Sequence, residues 1–265
     1  DMRDPFPELY LSKYGAHDRG GAPRWLLAEE RLSARFASRV LAVHPPLAEL
    51  YTRSVPSDRI TVVWNAPNTR LFSDAATFVR DPDDRTLLYT GTVTYPYGVD
   101  LAIKAVARLR DEIPRLRLRI VGHGELMDTL PELARAEGVA DRVTFEPFVA
   151  FDRVAEIVGE SWIGVQPNRD VPVMAMSLST KILEWCHQGL PVVAGRTPPL
   201  AELFGNDAVL FHDRGDLDGL CARIREAHAD PDALTRRAKD AREAVRKLRY
   251  DDQIETFVRI AETAD

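Results

Sequence analysis

LLYTGTVTYPYGVDLAIKAVARLRDEIPRLRLRIVGHGE, residues 87–125, decides the fold. Two short apolar runs, Leu87–Gly91 and Leu118–Gly122, flank a segment with apolar residues at every third or fourth position. That spacing predicts a helix over 98–112 between two strands. A strand–helix–strand unit of this length is a βαβ crossover, and a crossover makes its strands parallel. The alternation continues downstream. Strands are expected at 143–145, 162–165, 191–194 and 208–211, with helices at 126–137, 152–159, 179–188 and 199–204. The fold class is therefore α/β with a parallel sheet. Residues 215–249 read as two further helices, the second basic along one side. Residues 250–264 read as a final amphipathic helix with Ile254, Phe257, Val258 and Ile260 inward.

Upstream, 24–54 reads as helical, with Trp25, Leu26, Leu27, Leu32, Phe36 and Val40 at helical spacing. Within it SRVLAV (38–43) is an alternative strand, and Ile60–Trp64 is a clear one. The polar stretch 66–84 is the linker candidate and puts a domain boundary near residue 75. No internal repeat or low-complexity tract is apparent. The chain starts at Asp1 in a stretch, DMRDPFPELY, that reads as the middle of a longer protein.

Composition bounds the function. Lys plus Arg is 35 against 41 Asp plus Glu, a net charge of −6, which argues against a cationic nucleic-acid binder. Apolar residues at 45 % and charged residues at 29 % are globular values. No apolar run approaches the roughly 20 residues of a membrane helix. Cys186 and Cys221 lack metal-ligand spacing, so a reducing, cytoplasmic setting is expected. Arg31, Arg35 and Arg39 make a basic stripe. It reads first as a solvated face, with peripheral contact to an anionic membrane as the alternative.

Ligands of open α/β sheets sit beyond the carboxyl ends of the strands. Gly91-Thr92 and Gly122-His123 each follow a strand and precede a helix, which reads equally as a tight βα turn or as exposed amides that suit phosphate oxygens. There is no G-x-G-x-x-G and no P-loop motif, so nicotinamide and P-loop chemistry lose support. The most informative segment is SLSTKILEWCHQGLPVVAG, residues 177–195. Ser179 and Thr180 are N-cap residues. Lys181 stands in the first turn, where the helix dipole disfavours a cation unless an anion is near. Glu184, one turn further, reads either as a surface ion pair with Lys181 or as a carboxylate placed to hold two ribose hydroxyls. The D-x-D triplets at 81–83, 216–218 and 230–232 read as caps and turns, and no metal is called for. His123 is a donor-contact candidate, His44 is read as structural, and Cys186 as core.

These segments resemble the retaining glycosyltransferases of family four, which have the GT-B fold. STKILEWCHQGLPVVAG is similar to their P-x-K-x-x-E-x-x-A-x-G-x-P-V-V segment. ITVVWNAPNTRLF resembles their domain-exit segment with Asn65 in register, and LRLRIVGHGE resembles L-x-I-V-G-x-G-E. Residues 87–109 resemble the strand, Gly turn and helix that open their nucleotide domain. RDPFPE resembles the R-D-L-W-P-E loop of one branch. The resemblance implies a nucleotide-sugar donor bound between two Rossmann-like domains. Residues 1–75 would be a remnant of an N-terminal acceptor domain and 76–250 a complete donor domain. Residues 251–265 would form a helix packing back on the first. It implies donor contacts from Gly91, Thr92, Gly122, His123, Phe148, Val149, Ser179, Thr180, Lys181 and Glu184. Arg3, Asp4 and Lys181 become the catalytic candidates. It further implies a glycan, lipid-linked or small acceptor, retention, no metal and no cofactor. Such a fragment alone would transfer poorly.

Three departures from the family pattern involve four positions. Met176 stands where many members have the first Glu of E-x7-E. Thr92 and Tyr97 replace an Arg and a Lys on the diphosphate, leaving Arg169 or a residue outside this sequence as a substitute cation. Arg3 stands where many members have an active-site His. Two other readings compete: a non-catalytic sugar-nucleotide-binding subunit, and a nucleotide-sugar epimerase of the same fold.

Overall fold

The computed structural model describes residues 10, 22–70, 81 and 83–263. Two parallel sheets are present among them. The larger has six strands: β3 (Thr86–Thr92), β4 (Arg117–His123), β5 (Val143–Glu146), β6 (Ile163–Gln166), β7 (Val192–Gly195) and β8 (Leu210–His212). Their order is β5-β4-β3-β6-β7-β8, all parallel. The crossovers carry helices α3 (Val99–Leu109), α4 (Leu130–Ala136), α5 (Phe151–Glu160), α6 (Pro172–Ala175), α7 (Thr180–His187) and α8 (Pro198–Phe204). After β8 come α9 (Leu217–Ala229), α10 (Pro231–Arg246) and α11 (Tyr250–Glu262).

Side chains alternate across a strand, so β3 feeds two cores. Leu87 and Tyr89 pack with Ile103 and Val106 of α3 and Leu220 and Ile224 of α9. Leu88 faces the other way, with Ile157 of α5, Trp185 of α7, Leu200 of α8 and Val245 of α10. Helices thus cover both faces, which is why the strands read as nearly continuous apolar runs.

The smaller sheet pairs β1 (Val40–Ala42) with β2 (Ile60–Val62). Before it lies α1 (Ala22–Phe36), and between its strands α2 (Pro45–Tyr51). The alternative reading of SRVLAV as a strand is the one realised. Its core is Ala34, Val40, Ala42, Val43, Leu47, Tyr51 and Val55.

The helical spacing in α1 is realised as a helix but not as a buried stripe: Leu26 is buried, while Trp25, Leu32 and Phe36 are 64, 57 and 81 % exposed. One expectation fails: α11 does not turn Ile254, Phe257 and Val258 inward; all three are exposed and Ile260 is half-buried. The helix is tied by polar contacts instead. Gln253 Oε1 accepts from Trp64 N–H at 2.9 Å, and Asp251 pairs with Arg70. The D-x-D triplets behave as read. Asp216 caps α9, Asp230 caps α10, and Asp81 accepts from Asp83 N–H. No described helix is long and apolar enough to cross a membrane.

Candidate functional site

At the carboxyl edge of the large sheet β3 and β4 run side by side, with Gly91 opposite Gly122 and Thr92 opposite His123. Gly91 has φ +102°, a conformation that side chains resist. A Cβ on Gly122 would lie 1.8 Å from the Gly91 carbonyl oxygen. Both turns therefore need glycine, and the backbone of β3 is left open toward α7.

α7 begins at this edge. Ser179 is its N-cap residue, yet its side chain makes no capping hydrogen bond, so the expected cap is positional only. The first-turn amides are left without a side-chain acceptor. Ser179, Thr180, Lys181 and Glu184 line a cleft of about 390 Å3 together with Gly91, Thr92, Phe148 and Val149. Eight of the ten expected donor residues thus converge. Gly122 and His123 stand outside the lining. Gly122 backs the Gly91 turn, and His123 meets Phe148 edge-on at 5.9 Å. Arg3 and Asp4 lie outside the described residues. The cleft also takes Val43 and Asn65 from the smaller unit, and Thr90, Val154, Ser177 and Leu178, none of which the sequence placed there as ligand contacts.

The electrostatics centre on Lys181. Its Nζ is shut from solvent and has no hydrogen-bond partner. It lies 4.0 Å from the centre of the Tyr89 ring and 4.6 Å from that of Tyr97. The ring faces attract a cation but supply no hydrogen-bond acceptor in its place. Burial pulls the Lys181 pKa down to about 7, opposed by the Glu184 charge. Burial also raises that of Glu184, opposed by Lys181. Tyr97 thus contributes a ring face to Lys181. The Tyr89 hydroxyl donates to the Thr92 carbonyl, fixing the other face.

Arg169 is not the substitute cation. It pairs with Asp100 and lies over the Tyr95 ring at 4.3 Å, outside the cleft lining. Its backbone N–H donates to Pro96 O and that of Asn168 to Tyr97 O. The β6–α6 loop therefore buttresses the Tyr95–Tyr97 turn. Among the described residues Lys181 is the one cation lining the cleft.

Residues 74–247 match the family model of glycosyl transferases group 1, and the chain belongs to that family. It is 31 % identical over 186 residues to a glycogen synthase of Mycobacterium tuberculosis, covering 69 % of this chain and 43 % of that protein. A D-inositol 3-phosphate glycosyltransferase of Streptomyces coelicolor is 29 % identical over 220 residues, covering 77 % of this chain and 45 % of the relative. The chain spans about half the length of the curated relatives it matches. Among solved structures, S. aureus TarM in complex with fondaparinux, α-GlcNAc-glycerol and UDP superposes with TM-score 0.75 at 12 % identity, over 92 % of this chain and 48 % of that one. Anabaena HepE in complex with UDP and glucose gives 0.71 at 17 %, over 88 and 65 %. The fold is GT-B, and the six-stranded unit is Rossmann-like.

Proposed function

We propose that the chain carries the donor site of a retaining, metal-independent glycosyltransferase of family four, using a nucleoside-diphosphate sugar. The observation that carries the reading is the head of α7: an uncapped helix start, a buried unpartnered ammonium and a carboxylate one turn on, all in one cleft. The first-turn amides and Lys181 would hold the diphosphate, Glu184 the ribose hydroxyls, and Phe148–Val149 the base. Residues 76–250 would be the donor domain, with 1–75 and 251–265 on the acceptor side. Two solved structures of the same fold were determined with UDP bound, which supports a nucleoside diphosphate as the ligand class to test here.

The chemistry follows from charge. As the bond from anomeric carbon to phosphate oxygen breaks, negative charge grows on the diphosphate. The helix dipole, free amides and Lys181 attract that growing charge more strongly than the ground state, which lowers the barrier. The acceptor would be a glycan or lipid-linked hydroxyl, and the setting the cytoplasm or the inner membrane face. The epimerase and binding-subunit readings are not favoured by the family match.

Calorimetric titration with UDP, GDP and ADP tests the reading. One diphosphate should bind, and Glu184→Ala should weaken it by roughly 1.5–3 kcal/mol, the worth of a charge-assisted hydrogen bond. Binding indifferent to Glu184→Ala would overturn the assignment of the ribose contact, and binding of none of the three would overturn the donor site.

A further inference from the structure

Two stretches of the chain match each other. His44-Pro-Pro-Leu-Ala-Glu-Leu-Tyr (44–51) and Thr197-Pro-Pro-Leu-Ala-Glu-Leu-Phe (197–204) share PPLAEL, too short a match to stand out as an internal repeat. Each begins two residues after a parallel strand, β1 or β7, and each forms a seven-residue helix, α2 or α8. The two helices pack against one another. Each is capped by the side chain before the prolines. His44 Nδ1 accepts from Leu47 N–H at 3.1 Å, and Thr197 Oγ1 accepts from Leu200 N–H at 3.4 Å.

Each cap also has one hydrogen to give, and both give it to the same loop. The Thr197 hydroxyl donates to Ser177 O at 2.9 Å. His44 Nε2 lies 3.0 Å from Met176 O. The partners fix the tautomer. A backbone N–H can only donate and a carbonyl can only accept, so Nδ1 is bare and Nε2 carries the proton. His44 is thus neutral with both nitrogens used. Burial pulls its pKa below the ordinary value, against the opposing pull of the Met176 and His44 carbonyls. Both capping side chains are at most 1 % exposed.

We propose that His44 and Thr197 are a matched pair of positioning residues that clamp the Met176–Ser177 peptide units and thereby set the head of α7, one arm reaching in from each of the two sheets. The proposal rests on the reading of that head as the donor-diphosphate site. The loop between α6 and α7 is otherwise held by Leu178, which packs against the core of the large unit, and by Met176 N–H, which donates to Met174 O. Its own backbone contributes Ser177 N–H to Met174 O at 3.3 Å. Two carbonyls oriented by donors from opposite sides determine the peptide planes that lead into Ser179, Thr180 and Lys181. Charge stabilisation by amides depends on such placement to within fractions of an ångström. At position 176 the side chain is a methionine, and the backbone carbonyl is the group used. His44 also makes the clamp sensitive to how the two sheets sit, because it belongs to β1–α2 while α7 belongs to the large sheet.

Backbone hydrogen exchange of the 265-residue chain tests this, with and without UDP or GDP. His44→Ser keeps a hydroxyl acceptor for Leu47 N–H, the arrangement Thr197 uses, but cannot reach Met176. It should leave α2 protected and speed exchange over 177–183 about five-fold, as expected for one lost hydrogen bond. Thr197→Val should speed exchange over 177–183 and α8 together, and Thr197→Ser should restore both. Affinity for the bound diphosphate should fall about five-fold in His44→Ser and Thr197→Val alike. Wild-type exchange over 177–183 in both variants overturns the proposal. If neither diphosphate binds the wild type while exchange still responds, the donor reading fails and the clamp stands.

Discussion

The two sheets of this chain are built by the same rules to different degrees of completion. The six-stranded unit has helices on both faces, and its largest side chains, Trp185 and Tyr89 among them, are fully buried. The two-stranded unit has one small core, while α1 presents Trp25, Leu32 and Phe36 to solvent. Apolar spacing is similar in both, so periodicity alone does not tell a covered face from an open one. What differs is whether a second layer exists to receive it. The cleft lies where the two units meet, with Val43 and Asn65 on one side and α7 on the other.

The largest expected effect lies in the covered unit. Trp185→Ala removes the side chain that lies against Gly164, where a Cβ would come within 2.4 Å of the indole. The loss should be about 3–5 kcal/mol, seen as a lower main melting transition. Leu47→Ala, in the small core, should cost about 2–3 kcal/mol because the half-open surroundings can relax. Hydrogen exchange should show that loss confined to 40–55, with β3–β8 still protected. A single melting transition displaced equally by both substitutions would abolish the contrast.

A third effect sharpens the contrast at the boundary. Burial in the large unit reaches the Lys181 ammonium, whose pKa is about 7 in the free protein. A bound diphosphate favours the charged amine and raises that value, so binding takes up a proton above pH 7. Affinity for a nucleoside-diphosphate sugar should therefore fall as pH rises from 7 to 9, by up to about tenfold per unit. A Lys181→Arg variant, charged throughout, should lose that slope; an equal slope in the variant would assign the effect to another group. The smallest effect belongs to the open face. Phe36→Ser should change stability by less than about 0.5 kcal/mol, which thermal melting can check.

The strand–helix alternation was legible because each strand is an apolar run between glycine or polar turns. Most observed elements fall within a few residues of their expected bounds. Three places depart: the helix after β4 is shortened to Leu130–Ala136 because 124–129 is spent on a turn, α6 was not expected, and the stretch read as helical over 24–54 is split by β1. The cleft was legible at Gly91, after a strand, and at Ser179–Lys181, at a helix start, where residue type and position both point to an anion, and at Glu184 one turn further on. It was not legible at Tyr89 and Tyr97, whose ring faces meet Lys181 only after three separate segments converge. Nor was it legible at Arg169, whose charge is spent on Asp100 and Tyr95, far along the chain. His44 was legible as structural from its place before two prolines. That its second nitrogen reaches residue 176 depends on how two sheets pack, and no local pattern encodes that.

The cysteines have a practical consequence. Cys186 and Cys221 are both buried, and burial raises the thiol pKa of each, Cys186 far more. Neither presents a reactive thiolate to reagents in water. The native protein is thus a quiet background for thiol labelling. A single cysteine placed at exposed Phe36 and another at exposed Tyr95 would carry a pair of dyes, and the distance between the two sheets could be followed while nucleotide is added.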